Sequence, residues 1–193
     1  MKTLFVGLFA MLVASVAMAT GNLRVNMEAG EADATVVEIS TGEMQHFEIE
    51  LTDEYGNSIY QMETEIPRAE LEKRYDFSDL DNGTYWYYVR TGDEEISKQL
   101  SINYGEVEVE DVRKTVDPYF HREGDLIKLS YLNFENEDIK LYVYENRTLL
   151  EEVALGKDFK IHKAIDLSDL NSGVYDVVLT NKMNIYEHSV VID

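Results

Sequence analysis

The sequence predicts an all-β protein, with two antiparallel β-sandwiches in tandem behind a short apolar N-terminal helix. Three observations predict it. Apolar residues recur with a period of two along most of the chain. Clusters of Asn, Asp and Gly break that alternation at short intervals. The chain also matches itself without a gap at an offset of 90 residues, which predicts one unit used twice.

Composition sets the outer limits. The 193 residues are 45% hydrophobic and include 13 Tyr, 7 Phe and 1 Trp, enough for a packed core. The formal charge is -21, which repels nucleic acid and anionic membranes, so no nucleic-acid partner is expected. There is no cysteine. Disulfides, thiolate metal sites and cysteine nucleophiles are therefore excluded.

The N-terminus carries an address. Lys2 supplies a positive start, an apolar run follows from Leu4 to Val16, and Ala17-Met18-Ala19 places small residues where a signal peptidase reads. Residues 1–19 are expected to be a cleaved signal peptide, the run being short for a span of a hydrocarbon layer about 30 Å thick. No later stretch is long enough to cross a membrane as a helix. The expected location is exported: periplasm, cell surface or extracellular space.

The repeat divides the remainder into 20–104 and 105–193. Asp76-Phe77-Ser78-Asp79-Leu80-Asp81-Asn82-Gly83-Thr84-Tyr85 overlies Asp166-Leu167-Ser168-Asp169-Leu170-Asn171-Ser172-Gly173-Val174-Tyr175. Ile49 and Leu51 fall on Ile139 and Leu141; Leu100 and Ile102 fall on Val190 and Ile192. Within each copy the period is that of strands. Phe47, Ile49 and Leu51 alternate with Glu48 and Glu50, and Ile139, Leu141 and Val143 with Lys140 and Tyr142. Six or seven short strands in about 80 residues is the spacing of a sandwich. Pro67 and Pro118 are expected in connections. Arg68–Lys73 could form a short helical turn, and Gly105–Glu110 reads as the first strand of the second copy.

The recurring Leu-x-x-Gly-x-Tyr predicts a folding device. Leu80 or Leu170 closes the end of the core, Gly83 or Gly173 allows a positive φ at the corner, and Tyr85 or Tyr175 bonds back across the loop. This segment, with the alternating strand after it, resembles the C-terminal sorting domains of type IX secretion (Por) cargo. It equally resembles small Ig-like domains of secreted proteins from the same bacteria. The resemblance covers both copies and implies tandem Ig-like folds in an exported protein. Two departures favour the plain Ig-like module over the sorting role: no large cargo precedes the pair, and the chain ends on an acidic strand, Glu187 to Asp193.

Chemistry is sparse in the sequence. His46, His121, His162 and His188 form no metal-ligand pair at helical or hairpin spacing, and no hydrolase elbow, phosphate loop or dinucleotide fingerprint occurs. Asp76, Asp79 and Asp81 could offer oxygens to calcium, but Gly83 comes one position too early for an EF-hand loop. Solvated carboxylates opening a turn account for the same pattern. No catalytic residue, metal or cofactor is expected. The candidate binding surface is Trp86 and Tyr88, which alternation places outside when Tyr85 and Tyr87 face the core. Such rings stack on sugars or enter a partner's pocket; equally, they could cover a loop or a seam. The expected function is a non-enzymatic structural or binding module with a protein or glycan partner. The alternatives are a sorting signal and a carbohydrate-binding module.

Overall fold

The computed structural model describes residues 22–30 and 34–192; the expected signal peptide lies outside the described residues. The chain is all-β, and no helix among the described residues is long and apolar enough to cross a membrane. It divides into two compact units, one ending at Val116 and one beginning at Asp117.

The N-terminal unit contains β1 (Arg24–Ala29), β2 (Thr35–Gln45), β3 (Glu48–Asp53), β4 (Ser58–Glu63), β5 (Arg68–Tyr75), β6 (Gly83–Thr91), β7 (Glu94–Asn103) and β8 (Glu106–Val116). These form a three-stranded sheet, β1-β2-β5, and a five-stranded sheet, β4-β3-β6-β7-β8, with every pairing antiparallel. The core lies between the sheets: Val37 and Ile39 meet Ile49, Leu51, Tyr87, Val89, Leu100 and Ile102. Burying each such aliphatic side chain contributes about 1.5–3 kcal/mol.

The C-terminal unit repeats this plan. It contains β9 (Tyr119–Glu123), β10 (Leu126–Leu132), β11 (Ile139–Glu145), β12 (Thr148–Gly156), β13 (Lys160–Asp166), β14 (Gly173–Thr180) and β15 (Ile185–Ile192). The sheets are β9-β10-β13 and β12-β11-β14-β15. Sheet by sheet this is the order of the first seven strands. Ile127, Leu129, Leu141, Tyr175, Val177 and Val190 fill its core. In a constant-type immunoglobulin domain the fourth strand joins the first sheet; here β4 and β12 pair with β3 and β11 in the second.

Three expectations are corrected. Residues 68–73 form no helical turn: they belong to β5, paired with β2 from Ser40↔Glu70 to Thr35↔Tyr75. Ala69, Leu71, Lys73 and Tyr75 are half-buried while Arg68, Glu70, Glu72 and Arg74 are exposed, so a ladder partner overrides the local helix preference of Ala-Glu-Leu-Glu-Lys.

Residues 106–110 do not open the second copy. They begin β8, which pairs with β7 from Asn103↔Glu106 to Glu94↔Val116. The cause is the two-residue turn Tyr104-Gly105, with φ of 51° and 84°, the left-handed pair that suits a tight hairpin. Asn82 Oδ1 accepts the Tyr104 amide at 2.7 Å. A side chain at Gly105 would meet the Ser78 backbone at 3.0 Å.

Gly83 and Gly173, finally, are not among the positive-φ residues. Their lack of a side chain serves a neighbour. A Cβ on Gly173 would stand 3.3 Å from the Tyr175 ring, and one on Gly83 would stand 3.9 Å from the Tyr85 ring. The tyrosine two residues on folds over the start of its own strand.

Candidate interaction surface

The corner tyrosines fix the ends of β6 and β14. Tyr85 Oη donates to the Asp81 carbonyl at 2.7 Å, and Tyr175 Oη donates to the Asn171 carbonyl at 2.8 Å. Tyr175 also reaches Glu145 Oε1 at 3.2 Å. Leu80 and Leu170 pack, half-buried, against the two cores. Asp76 and Asp166 each accept the amide two residues on, from Ser78 and Ser168, and these contacts hold both carboxyls below the usual carboxylate range.

With Tyr85, Tyr87 and Val89 turned inward, Thr84, Trp86, Tyr88 and Arg90 lie on the outer face of the five-stranded sheet. Antiparallel register aligns that face in rows. Thr52, Trp86, Gln99 and Asp111 form one; Gln61, Glu50, Tyr88, Ser97 and Arg113 form the next; Glu63, Glu48, Arg90, Glu95 and Thr115 form a third. The Trp86 and Tyr88 rings lie 6.3 Å apart at 25°. Arg113 sits over Trp86 with Cζ 4.7 Å from the ring centre, a cation–π contact, and its Nε pairs with Asp111 at 3.0 Å. Thr52 and Ser97 are buried in the same rows. Beside Tyr88 opens a shallow cleft of about 230 Å³ lined by Glu48, Glu50, Gln61, Tyr88, Arg90 and Glu95. Burial pushes the Tyr88 hydroxyl pKa up.

Sequence reasoning brought Trp86 and Tyr88 together but missed Arg113, because β8 was assigned to the other copy. The usable signal was the Asn103-Tyr104-Gly105-Glu106 hairpin. It also missed a second ring pair: Tyr142 and Tyr144 on the outer face of β11, 6.2 Å apart at 29°. Alternation with Leu141 and Val143 placed them there.

The histidines stay apart. His46 Nδ1 donates to the Thr64 carbonyl at 2.7 Å, and His162 Nδ1 lies 3.0 Å from Ser130 Oγ. His121 stacks on Tyr119 and His188 on Phe120. Among the described residues no group of three His, Asp or Glu is disposed to hold a metal ion.

Among solved structures, the chain is similar to a biofilm-associated protein, BSP domain, at 15% identity over 88% of this chain and 29% of that one, with a TM-score of 0.28. It is also similar to a two fibronectin type-III domain segment from chicken tenascin, at 9% identity over 90% and 99%, TM-score 0.28. A third is the human OSCAR ligand-binding domain, at 10% identity over 89% and 97%, TM-score 0.25. At such TM-scores these likenesses add nothing to the topology read from the sheets. No curated protein sequence matches. One family model does match, that of the secretion system C-terminal sorting domain, over residues 32–103. That segment runs from β2 to β7, and the N-terminal sandwich is thus similar to secretion sorting domains over six of its eight strands.

Proposed function

We propose that the chain is an exported, non-enzymatic module that acts by surface complementarity, with the Trp86–Tyr88–Arg113 face as its contact surface. The observation that carries this reading is the face itself. Two rings lie side by side on the outer face of the sheet, one capped by a guanidinium, next to a cleft of carboxylates and one arginine. Such a surface offers stacking area together with directional acceptors, which suits a glycan or a polar protein surface. Binding to glycan and envelope-protein arrays tests it. Trp86→Ala and Tyr88→Ala should each lower affinity at least tenfold for any partner found, and partners that bind both variants unchanged would remove this face from the account.

The sorting reading has its own support, the family match over residues 32–103. It assigns recognition by secretion machinery to the N-terminal sandwich, with β8 retained as part of its sheet. Two fusions to a secreted reporter, one carrying residues 20–116 and one carrying 117–193, separate the cases in a host with type IX secretion. Surface delivery by the first fusion alone supports sorting by the N-terminal sandwich. Delivery by neither leaves the module as passenger.

A further inference from the structure

The two sandwiches differ at one edge. β7 is covered by β8 along its length, from Glu94 to Asn103. β15 stands at the same place in the second sandwich, and among the described residues no strand pairs with its outer edge. Covering changes burial: Ser97 and Lys98 on β7 are 7% and 8% exposed, whereas Glu187 on β15 is exposed and His188 half-buried.

The two outermost strands also differ in chemistry. β8 carries Glu106, Glu108, Glu110 and Asp111 in 11 residues, the charge that keeps an exposed edge from pairing. β15 has one carboxylate, Glu187, in Ile-Tyr-Glu-His-Ser-Val-Val-Ile. Its outer face shows Ile185 at 76% and Val191 at 54% exposure, beside Val174 at 48% across the ladder. The same face carries Glu187 and Ser189, whose Oγ donates to Asp176 of β14 at 2.7 Å. Arg122 of β9 donates to the Val191 carbonyl at 2.6 Å, which places that carbonyl on the side away from β14. The alternation of an antiparallel ladder then turns the Ile185, Glu187 and Ser189 backbone groups to the same open side.

We propose that β15 is a docking edge that receives an extended strand from a different protein. The N-terminal sandwich shows the form of the occupant. On β8, Val107 and Val109 reach the core line beside Ile102 and Leu100, while Lys114 pairs with Glu94 at 3.3 Å and Arg113 caps Trp86. The strand for β15 has alternating apolar residues toward Val190 and Ile192 and basic residues along the other face, near Glu187. A second copy of the chain is a poor occupant, because its charge of -21 opposes self-association. Backbone hydrogen bonds supply the affinity and the alternating side chains the selectivity, as in other strand additions.

The test uses the full mature chain and a nine-residue peptide of alternating Val and Lys. An analogue of the same sequence N-methylated at alternate amides keeps the charge and cannot form the ladder. The first peptide should bind at least tenfold tighter than the second and slow amide exchange at Glu187, Ser189 and Val191. Val191→Pro should abolish that difference, while Val112→Pro on β8 should leave it intact. If Val191→Pro fails to fold, the exchange map of the wild-type chain decides alone. Equal binding of the two peptides would mean adhesion by charge only and would overturn the proposal. So would a free chain already dimeric with its β15 amides protected.

Discussion

The two sandwiches have matching cores and diverge at the surface, and the divergence separates what the fold requires from what it permits. Ile49 and Ile139, Leu51 and Leu141, and Tyr85 and Tyr175 occupy matching buried positions. The outer faces match much less. Trp86 and Tyr88 on β6 become Asp176 and Val178 on β14, while the second sandwich places its ring pair on β11. Interior side chains answer to packing, and exterior ones are free to serve contact.

The largest expected effect breaks the symmetry of the cores. Ile139→Ala should destabilise the C-terminal unit by about 2–5 kcal/mol, and Ile49→Ala the N-terminal unit by a similar amount. Trp86 is the single tryptophan, so its fluorescence follows only the N-terminal unit. In denaturant, Ile49→Ala should move the fluorescence midpoint, and Ile139→Ala should move only the circular-dichroism transition.

A smaller effect sharpens the role of β8. Val109→Ala should cost the N-terminal unit about 1–2 kcal/mol through lost contact with the core. Smaller again, Tyr85→Phe and Tyr175→Phe should each cost about 1 kcal/mol, since each removes a hydroxyl that satisfies a loop carbonyl. Tyr175→Phe should cost more, because Glu145 loses a donor as well.

The mildest comparison is in alkali. Tyr75 Oη lies 3.0 Å from Tyr87 Oη in the N-terminal core, and the position of Tyr87 is Val177 in the other. Burial pushes the Tyr75 pKa up to about 12 from an ordinary 10.0, and raises that of Tyr87 as well. A folded pKa above the unfolded one gives stability that is complete below pH 10 and declines as pH rises through 12. The N-terminal midpoint should fall over that window, and Tyr75→Phe should flatten part of the slope.

Much of the fold was legible because period-two alternation and a gapless repeat are local signals. Most interior positions named from them, including Tyr85, Val89, Tyr175 and Leu179, are buried, but Leu80 and Leu170 are only half-buried, and Ile59 and Leu149, which the repeat also aligns, are exposed. The fate of Glu106–Glu110 was less legible, because an alternating strand does not announce which neighbour it joins. That was decided by two residues, Tyr104 and Gly105, whose left-handed turn folds β8 back on β7. Arg113 was lost to the candidate surface for the same reason. Gly83 shows a different limit: the motif marks a position that excludes side chains, but a crowded tyrosine ring and a positive φ leave the same letter in the sequence.

Hydrogen exchange of the free mature chain tests most directly the claim that one scaffold carries a covered edge and an open one. Ser97 and Ser101 in β7 should exchange as slowly as the interior strands, while Glu187 and Val191 in β15 exchange within the first time points. Slow exchange at Glu187 and Val191, or fast exchange throughout β7, would contradict it.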